Sequence, residues 1–219
     1  MNLTSAAGSA WTALAGYPGL GGHDASIDCC RSAMSHAKFS RIVLRDVRGT
    51  AVRLSGVSER TIRRSLFRTL KGSVLCSIAT VTGRHQPHIN TAYFCYSDDL
   101  ELYFLSHPRS LHCRHLSRNP SVGMTIFSSS QPWGSPGRGV QLFGRCRQAV
   151  GLDARRAERL YAKRFPAYGS WRGGAETGEA GGAYRLYRVV VKSLKLLDEK
   201  AIGDAVFAYA VISRKRNER

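Results

Sequence analysis

The feature that most constrains the fold of this chain is a series of short apolar strand patterns separated by tight turns. Six segments show the pattern: 74–82, 88–96, 100–105, 122–127, 139–148 and 184–197. The turns at 83–87 and 97–99 contain the Gly, Pro, Ser and Asp residues that favour tight turns. Such closely spaced strands pair antiparallel, and closing the sheet into a barrel removes its exposed edges. We therefore predict a mainly β fold with peripheral helices, built on a six-stranded antiparallel barrel.

Three amphipathic helices are predicted around the barrel, over 58–70, 110–117 and 153–165. Ser58 is a good N-cap for the first helix, and Pro166 ends the last. Gly144 interrupts the fifth strand and is expected to form a bulge, and a bend is expected in the sixth strand near Ser193. The Gly-rich segment 169–183 is predicted to be a loop.

The remaining segments are assigned by composition. Residues 1–37 are rich in Ala, Gly and Ser and are predicted to be a flexible, disordered extension, in which Met34 is a second candidate start. Residues 38–57 are predicted to be a linker or an accessory strand. Residues 58–200 form the predicted barrel domain, and residues 201–219 form a basic C-terminal tail.

Charge and cysteine content limit the environment of the protein. The formal net charge of +18 attracts anions in general, without identifying one class. The six cysteines have no zinc-type spacing, which indicates a reducing compartment. No apolar run approaches the ~20 residues needed to cross a bilayer, and the first 22 residues lack the pattern of a secretory signal. We expect a cytoplasmic protein without a membrane segment.

One turn carries most of the chemical information. A predicted strand ends at Ser106, and Arg109 and Ser110 lie where the next helix begins. A helix N-terminus offers unpaired N–H donors and a partial positive charge, so it suits a phosphate dianion. Arg109 adds a bidentate donor and the serines add hydroxyl groups. The same pattern, taken alone, also fits a capped helix with a solvated arginine.

The segment around this turn, HPRSLHCRHLSRNPSVGMTIF, resembles the FMN-binding split barrels of the pyridoxamine-phosphate-oxidase-like superfamily. The strand pair around HQPHINTAYF, the strand GVQLFG, the run AERLYAKRFP and the closing RLYRVVVKSLKLLD share the resemblance, which covers about 58–197. Within the superfamily, the chain looks closest to a small bacterial subgroup of uncharacterised proteins. The resemblance implies an FMN-dependent oxidoreductase that acts on an unknown small molecule as a homodimer.

The resemblance also implies which residues bind the cofactor. The phosphate would be held by Arg109 and Ser110, with Ser106 nearby. A lysine often follows the arginine in the family, and this chain has Ser110 there. The flavin ring would lie against four consecutive residues of the second strand: His88, Ile89, Asn90 and Thr91. Gln141 stands two residues from the place of the family's fifth-strand glutamine, on the same strand face.

Two alternative functions stay open. A deazaflavin or haem could replace FMN. Haem iron could be bound by the three histidines and the cysteine that crowd the segment 107–115. Their spacing matches no standard zinc site, and no metal site is predicted. The run SGVSERTIRRSL is similar to the turn and recognition helix of a helix-turn-helix, so the second alternative is a DNA-binding or flavin-sensing regulator without turnover. Nucleic-acid binding is the less favoured hypothesis. No nucleophile–base pair or P-loop is found, so catalytic residues stay unassigned.

Overall fold

The computed structural model describes residues 37–174 and 183–214. The strands are β1 (Lys38–Asp46), β2 (Ala51–Val52), β3 (Leu75–Val81), β4 (Pro87–Tyr96), β5 (Glu101–Ser106), β6 (Ser121–Phe127), β7 (Arg138–Gln148), β8 (Arg185–Asp198) and β9 (Val206–Ser213). The helices are α1 (Glu59–Lys71), α2 (Leu111–Arg118), α3 (Gly151–Arg164) and α4 (Tyr168–Gly174). Cys29, Cys30, Met34 and most of the predicted N-terminal extension lie outside the described residues.

Six strands form a closed antiparallel barrel in the order β8-β5-β4-β3-β6-β7, and β7 pairs with β8 to close it. β8 has 14 residues, so its first half pairs with β5 while its second half pairs with β9. Beyond β9, the sheet continues through β1 and β2. The predicted mainly β fold with a six-stranded antiparallel barrel is confirmed.

Two apolar clusters hold the fold together. Inside the barrel, alternate strand residues such as Ile78, Phe94 and Phe104 are fully buried, together with Leu66 of α1. On the outside, α3 and α4 pack over β4, β5 and β8 in a second cluster. Its members are Cys95, Tyr103, Ala149, Ala157, Tyr161, Tyr168 and Leu186. Helix α3 therefore covers the outer face of β5, while the inner face of β5 belongs to the barrel core, so this strand is buried on both faces.

The bulge predicted at Gly144 is present, because the β7–β8 register shifts between Phe143 and Gly144. On the β8 side the shift falls beside Ser193, where a bend was expected. The segment 38–57, predicted as a linker or an accessory strand, forms β1 and β2.

Two segments differ from the predictions. Within the predicted basic tail, Val206–Ser213 forms β9, because pairing with both β8 and β1 buries alternate residues of this strand. Within the predicted loop 169–183, the described part begins in helix α4, which starts at Tyr168. Packing of the Tyr168 ring against the α3 cluster stabilises this short helix despite its glycines.

Helix α1 covers one end of the barrel core through Ile62, Leu66 and Leu70. Two of its arginines make contacts within the protein: Arg63 donates to the Ala37 carbonyl, and Arg68 pairs with Asp198 at 2.7 Å. The structure places the strands β1 and β2 before α1, where a helix-turn-helix needs its first helix.

Candidate cofactor site

The turn between β5 and α2 leaves the first turn of the helix without a side-chain cap. Ser110 is at the N-cap position, but its hydroxyl makes no capping hydrogen bond and instead lies 3.2 Å from the Ser106 Oγ. The first helical hydrogen bond runs from the Arg114 N–H to the Ser110 carbonyl. N–H groups at such a start need another acceptor, and a phosphate oxygen is a suitable one. Arg109 is exposed on the same turn.

His112 joins the two serines into one hydrogen-bonded group. Its Nε2 lies 2.7 Å from the Ser106 Oγ and 3.1 Å from the Ser110 Oγ. Burial, together with the neighbouring His88 and His115, lowers the pKa of His112 to about 4. The ring is therefore neutral near pH 7, and its hydrogen bonds with the serines do not add a positive charge to the site.

Two further histidines lie beside His112. The His88 ring stacks on the His112 ring at 6.4 Å and meets the His115 ring edge-on at 5.3 Å. The His115 Nδ1 is 3.2 Å from the Thr80 hydroxyl, and burial lowers the pKa of His115. Within 37–174 and 183–214, no group of three or more His, Cys, Asp or Glu side chains is arranged to hold a metal ion.

The four predicted residues of β4 lie on two different faces. His88 and Asn90 are paired with the buried Thr80 and Ile78 of β3, so they face the barrel interior and α2. Ile89 is 66% exposed, and Thr91 also faces outward. The Asn90 Oδ1 is buried and has no hydrogen-bond partner among the described residues. It is an unsatisfied acceptor on the same strand face as His88.

Gln141 lies apart from this group, on the outer face of β7. Its cross-strand neighbours are Thr125 of β6 and Lys195 of β8. A cavity of about 270 Å³ opens there, between Phe127, Phe207 and the polar side chains. Gln141 is three strand spacings from β4, or roughly 14 Å along the sheet. The β5–α2 turn is level with the Gln148 end of β7, seven residues or roughly 23 Å along that strand from Gln141, so a single chain does not bring Gln141 together with the turn.

The residues at the β5–α2 turn fit a phosphorylated cofactor. The uncapped helix start, the exposed Arg109 and the hydroxyls of Ser106 and Ser110 form a donor set for a dianion. The unsatisfied Asn90 Oδ1 offers an acceptor for a ring N–H. The sequence analysis missed the hydrogen bonds between His112 and both serines, although the crowding of histidines after Ser110 pointed to this segment.

Comparisons with known proteins agree with this fold. A family model described as pyridoxamine 5'-phosphate oxidase matches residues 64–198, more than half of the chain. No curated protein matches the chain significantly. A haem-binding protein from Mycobacterium smegmatis has a TM-score of 0.53 and 15% identity, over 72% of this chain and 58% of that one.

Two further solved structures are similar. A conserved hypothetical protein from Mycobacterium tuberculosis has a TM-score of 0.52 and 17% identity, over 66% of this chain and 87% of that one. A FAD-binding protein from Mesorhizobium loti has a TM-score of 0.46 and 16% identity, over 78% of this chain and 99% of that one. At these identities, the two mycobacterial proteins establish a shared fold. None of the helices within the described residues is long and apolar enough to span a membrane.

Proposed function

The chain belongs to the pyridoxamine 5'-phosphate oxidase family, and on this basis we propose that it is an FMN-dependent oxidoreductase acting on a small molecule. The observation that carries the proposal is the β5–α2 turn, where an uncapped helix start meets Arg109 and two serine hydroxyls. A bound flavin supplies the electron or hydride transfer. The protein supplies binding, orientation and protection from water.

The phosphate of FMN would be held by Arg109, Ser106, Ser110 and the first N–H groups of α2. Each serine hydroxyl has one proton to donate, and each lies within hydrogen-bond distance of the neutral His112. When His112 carries its proton on Nε2, it donates to a serine oxygen and leaves the serine protons free for the phosphate. His112 thus acts as a positioning residue for both hydroxyls.

The ring of the flavin would lie toward β4, where Asn90 and His88 share the inner face. The Asn90 Oδ1 would gain a donor from the ring, which removes the cost of a buried unpaired acceptor. The half-buried imidazole of His112, the buried imidazole of His115 and the fully buried Phe104 limit water on this side.

Arg109→Ala is expected to weaken FMN binding by about 1.5–3 kcal/mol, the range for a hydrogen bond to a charged group. The measurement is a fluorescence titration of FMN with the purified protein. Arg155→Ala is the control, because Arg155 is an exposed arginine on α3, away from the turn. Equal affinity of wild type and Arg109→Ala would contradict this placement of the phosphate.

The absorption spectrum of the purified protein distinguishes FMN from the other cofactors. The absorption bands of oxidised flavin would support the proposal. A deazaflavin spectrum would show that a deazaflavin takes the place of FMN in the same fold. A Soret band would favour haem, the second candidate, which is supported by the imidazoles of His88, His112 and His115 lying side by side. Haem binding would then be lost on replacing one of these histidines by Ala.

We also propose that the protein is a homodimer, because one face of its barrel is exposed and apolar. Ile89, Ala79, Gly123 and Phe143 are consecutive cross-strand neighbours on β4, β3, β6 and β7. Four large apolar side chains on this face are at least one-third exposed: Leu75, Ile89, Phe127 and Phe143. Contiguous exposed apolar surface of this kind is typical of protein interfaces. Gln141 shares the face of β7 with Phe143, so it would lie at the interface of such a dimer.

Phe143→Glu is expected to convert the dimer into a monomer, because it places a charge within the apolar face. Light scattering at micromolar concentration measures the mass. Leu152→Glu is the matched control, since Leu152 is 73% exposed but lies on α3, away from this face. A stable interface of the expected type buries more than ~2,000 Å². A monomeric wild type with cofactor bound would contradict the proposal.

The proposed location is the cytoplasm. Cys76, Cys95, Cys113 and Cys146 are buried free thiols, as is usual in a reducing compartment.

A further inference from the structure

We propose that Arg185, the first residue of β8, is a second phosphate-binding cation of the cofactor site and acts with Arg109 on the same phosphate group. This inference rests on the proposed FMN function. A phosphate monoester carries nearly two negative charges at pH 7. In the β5–α2 turn itself, Arg109 is the only arginine or lysine between Ser106 and Ser110. A second cation from another element would therefore complete the neutralisation.

The β5–β8 ladder places Arg185 directly beside the site. Ser106 and Arg185 are the last cross-strand pair of this ladder. Side chains of directly opposite residues leave the sheet on the same face, with Cβ atoms about 4.5–5.5 Å apart. Ser106 is buried, and its hydroxyl bonds with Ser110 and His112. The Arg185 side chain therefore starts next to the hydroxyl group at the centre of the site.

The alternation of side chains along β8 also places Arg185 on the face of the sheet that Ser106 occupies. Tyr187, Val189 and Val191 belong to the barrel core, whereas Leu186 belongs to the outer cluster under α3. Arg185 shares the face of Tyr187, which is stacked on Phe104 inside the barrel. Arg185 is the first residue of the strand and is exposed, so it stands at the end of the barrel rather than in the core.

The segment before Arg185 contacts the turn as well. The Tyr184 ring meets the His107 ring edge-on at 5.8 Å, and the Arg185 Nη1 donates to the Tyr184 carbonyl at 2.9 Å. This contact holds the guanidinium near the start of β8. A guanidinium has five N–H donors in all, of which a bidentate contact to phosphate uses two.

The test compares FMN with riboflavin, which lacks the phosphate. Both flavins are titrated against wild type, Arg185→Gln, Arg185→Lys and the exposed control Arg155→Gln, with fluorescence quenching as the readout. We expect Arg185→Gln to weaken FMN binding about 10- to 100-fold, the effect of losing a charged hydrogen bond. Riboflavin binding should change less than about twofold, and Arg185→Lys should keep part of the FMN affinity because it keeps the charge.

The other possible outcomes would contradict either the role of Arg185 alone or the proposed function as well. Unchanged FMN affinity in Arg185→Gln, with a wild type that prefers FMN to riboflavin, would overturn the role of Arg185 and leave the FMN proposal standing. Equal losses of FMN and riboflavin affinity would also overturn it, because they indicate a change of structure. A wild type that binds neither flavin would overturn the proposed function and this inference together.

Discussion

Replacing Arg188 by Met is expected to lower the free energy of unfolding by about 3 kcal/mol at pH 7, the lower end of the range for removing one partner of a buried ion pair, because Glu101 keeps Arg156 as a partner. Glu101 is only 4% exposed. Its carboxylate accepts hydrogen bonds from Arg188, from Arg156 at 3.3 Å and from the Tyr103 hydroxyl at 2.8 Å. Arg188 also bonds to Asp153 of α3, so it links the strands β5 and β8 to that helix.

The matched control is Arg147→Met. Arg147 is directly opposite Arg188 in the β7–β8 ladder, but its side chain is exposed. A surface substitution of this kind is expected to change stability by less than about 0.5 kcal/mol. Urea unfolding of both variants measures the difference. Glu101→Gln in the Arg188→Met background should recover part of the loss, because it removes a buried charge that has lost one of its two arginine partners. No recovery would indicate that the loss comes from packing.

The pH dependence of this loss tests its electrostatic origin. Burial alone would raise the pKa of Glu101, but the hydrogen bonds from Arg188 and Tyr103 and the nearby positive charges hold it below its ordinary value. Such a carboxyl adds stability above its unfolded pKa, near 4.5, and loses it as the pH falls through the folded pKa. Without Arg188 that pKa rises, so the difference in stability between wild type and Arg188→Met should narrow as the pH falls through 4.5 toward the wild-type folded pKa. A stability difference that does not change with pH would contradict an electrostatic origin of the loss.

The barrel was predictable because its signals are local. Alternating apolar residues and turn residues mark the six barrel strands within about two residues of their observed ends. The strand β9 was not predictable in the same way, since it depends on the partners β8 and β1, and its sequence leads directly into basic residues. The helix α4 likewise depends on Tyr168 packing against α3, which no property of its glycine-rich sequence indicates.

The candidate site was predictable only in part. Ser106, Arg109 and Ser110 follow from the strand-to-helix pattern, which is a local signal. The alternation of a strand excludes a common face for four consecutive residues, so His88 and Asn90 could have been separated from Ile89 and Thr91 by sequence alone.

The remaining parts of the site depend on tertiary structure. Pairing of Arg185 with Ser106 requires the β5–β8 register, and the distance of Gln141 from the turn requires the strand order. Local sequence determines neither the register nor the strand order, because strands distant in the chain become neighbours only when the barrel closes.

Gly144→Ala is expected to lower the free energy of unfolding by about 3 kcal/mol, at the upper end of the usual cost of overpacking. A Cβ at this position would lie 2.3 Å from the Val190 carbonyl oxygen and 3.0 Å from the Val191 Cα. These are backbone atoms of β8 at the β7–β8 pairing that closes the barrel, so relief requires moving a strand. The control is Gly123→Ala in β6, where the added methyl would meet neighbours at 3.8–3.9 Å, an ordinary contact distance. Thermal and urea unfolding measure both variants, and equal stability of the two would show that the bulge at Gly144 can open without cost.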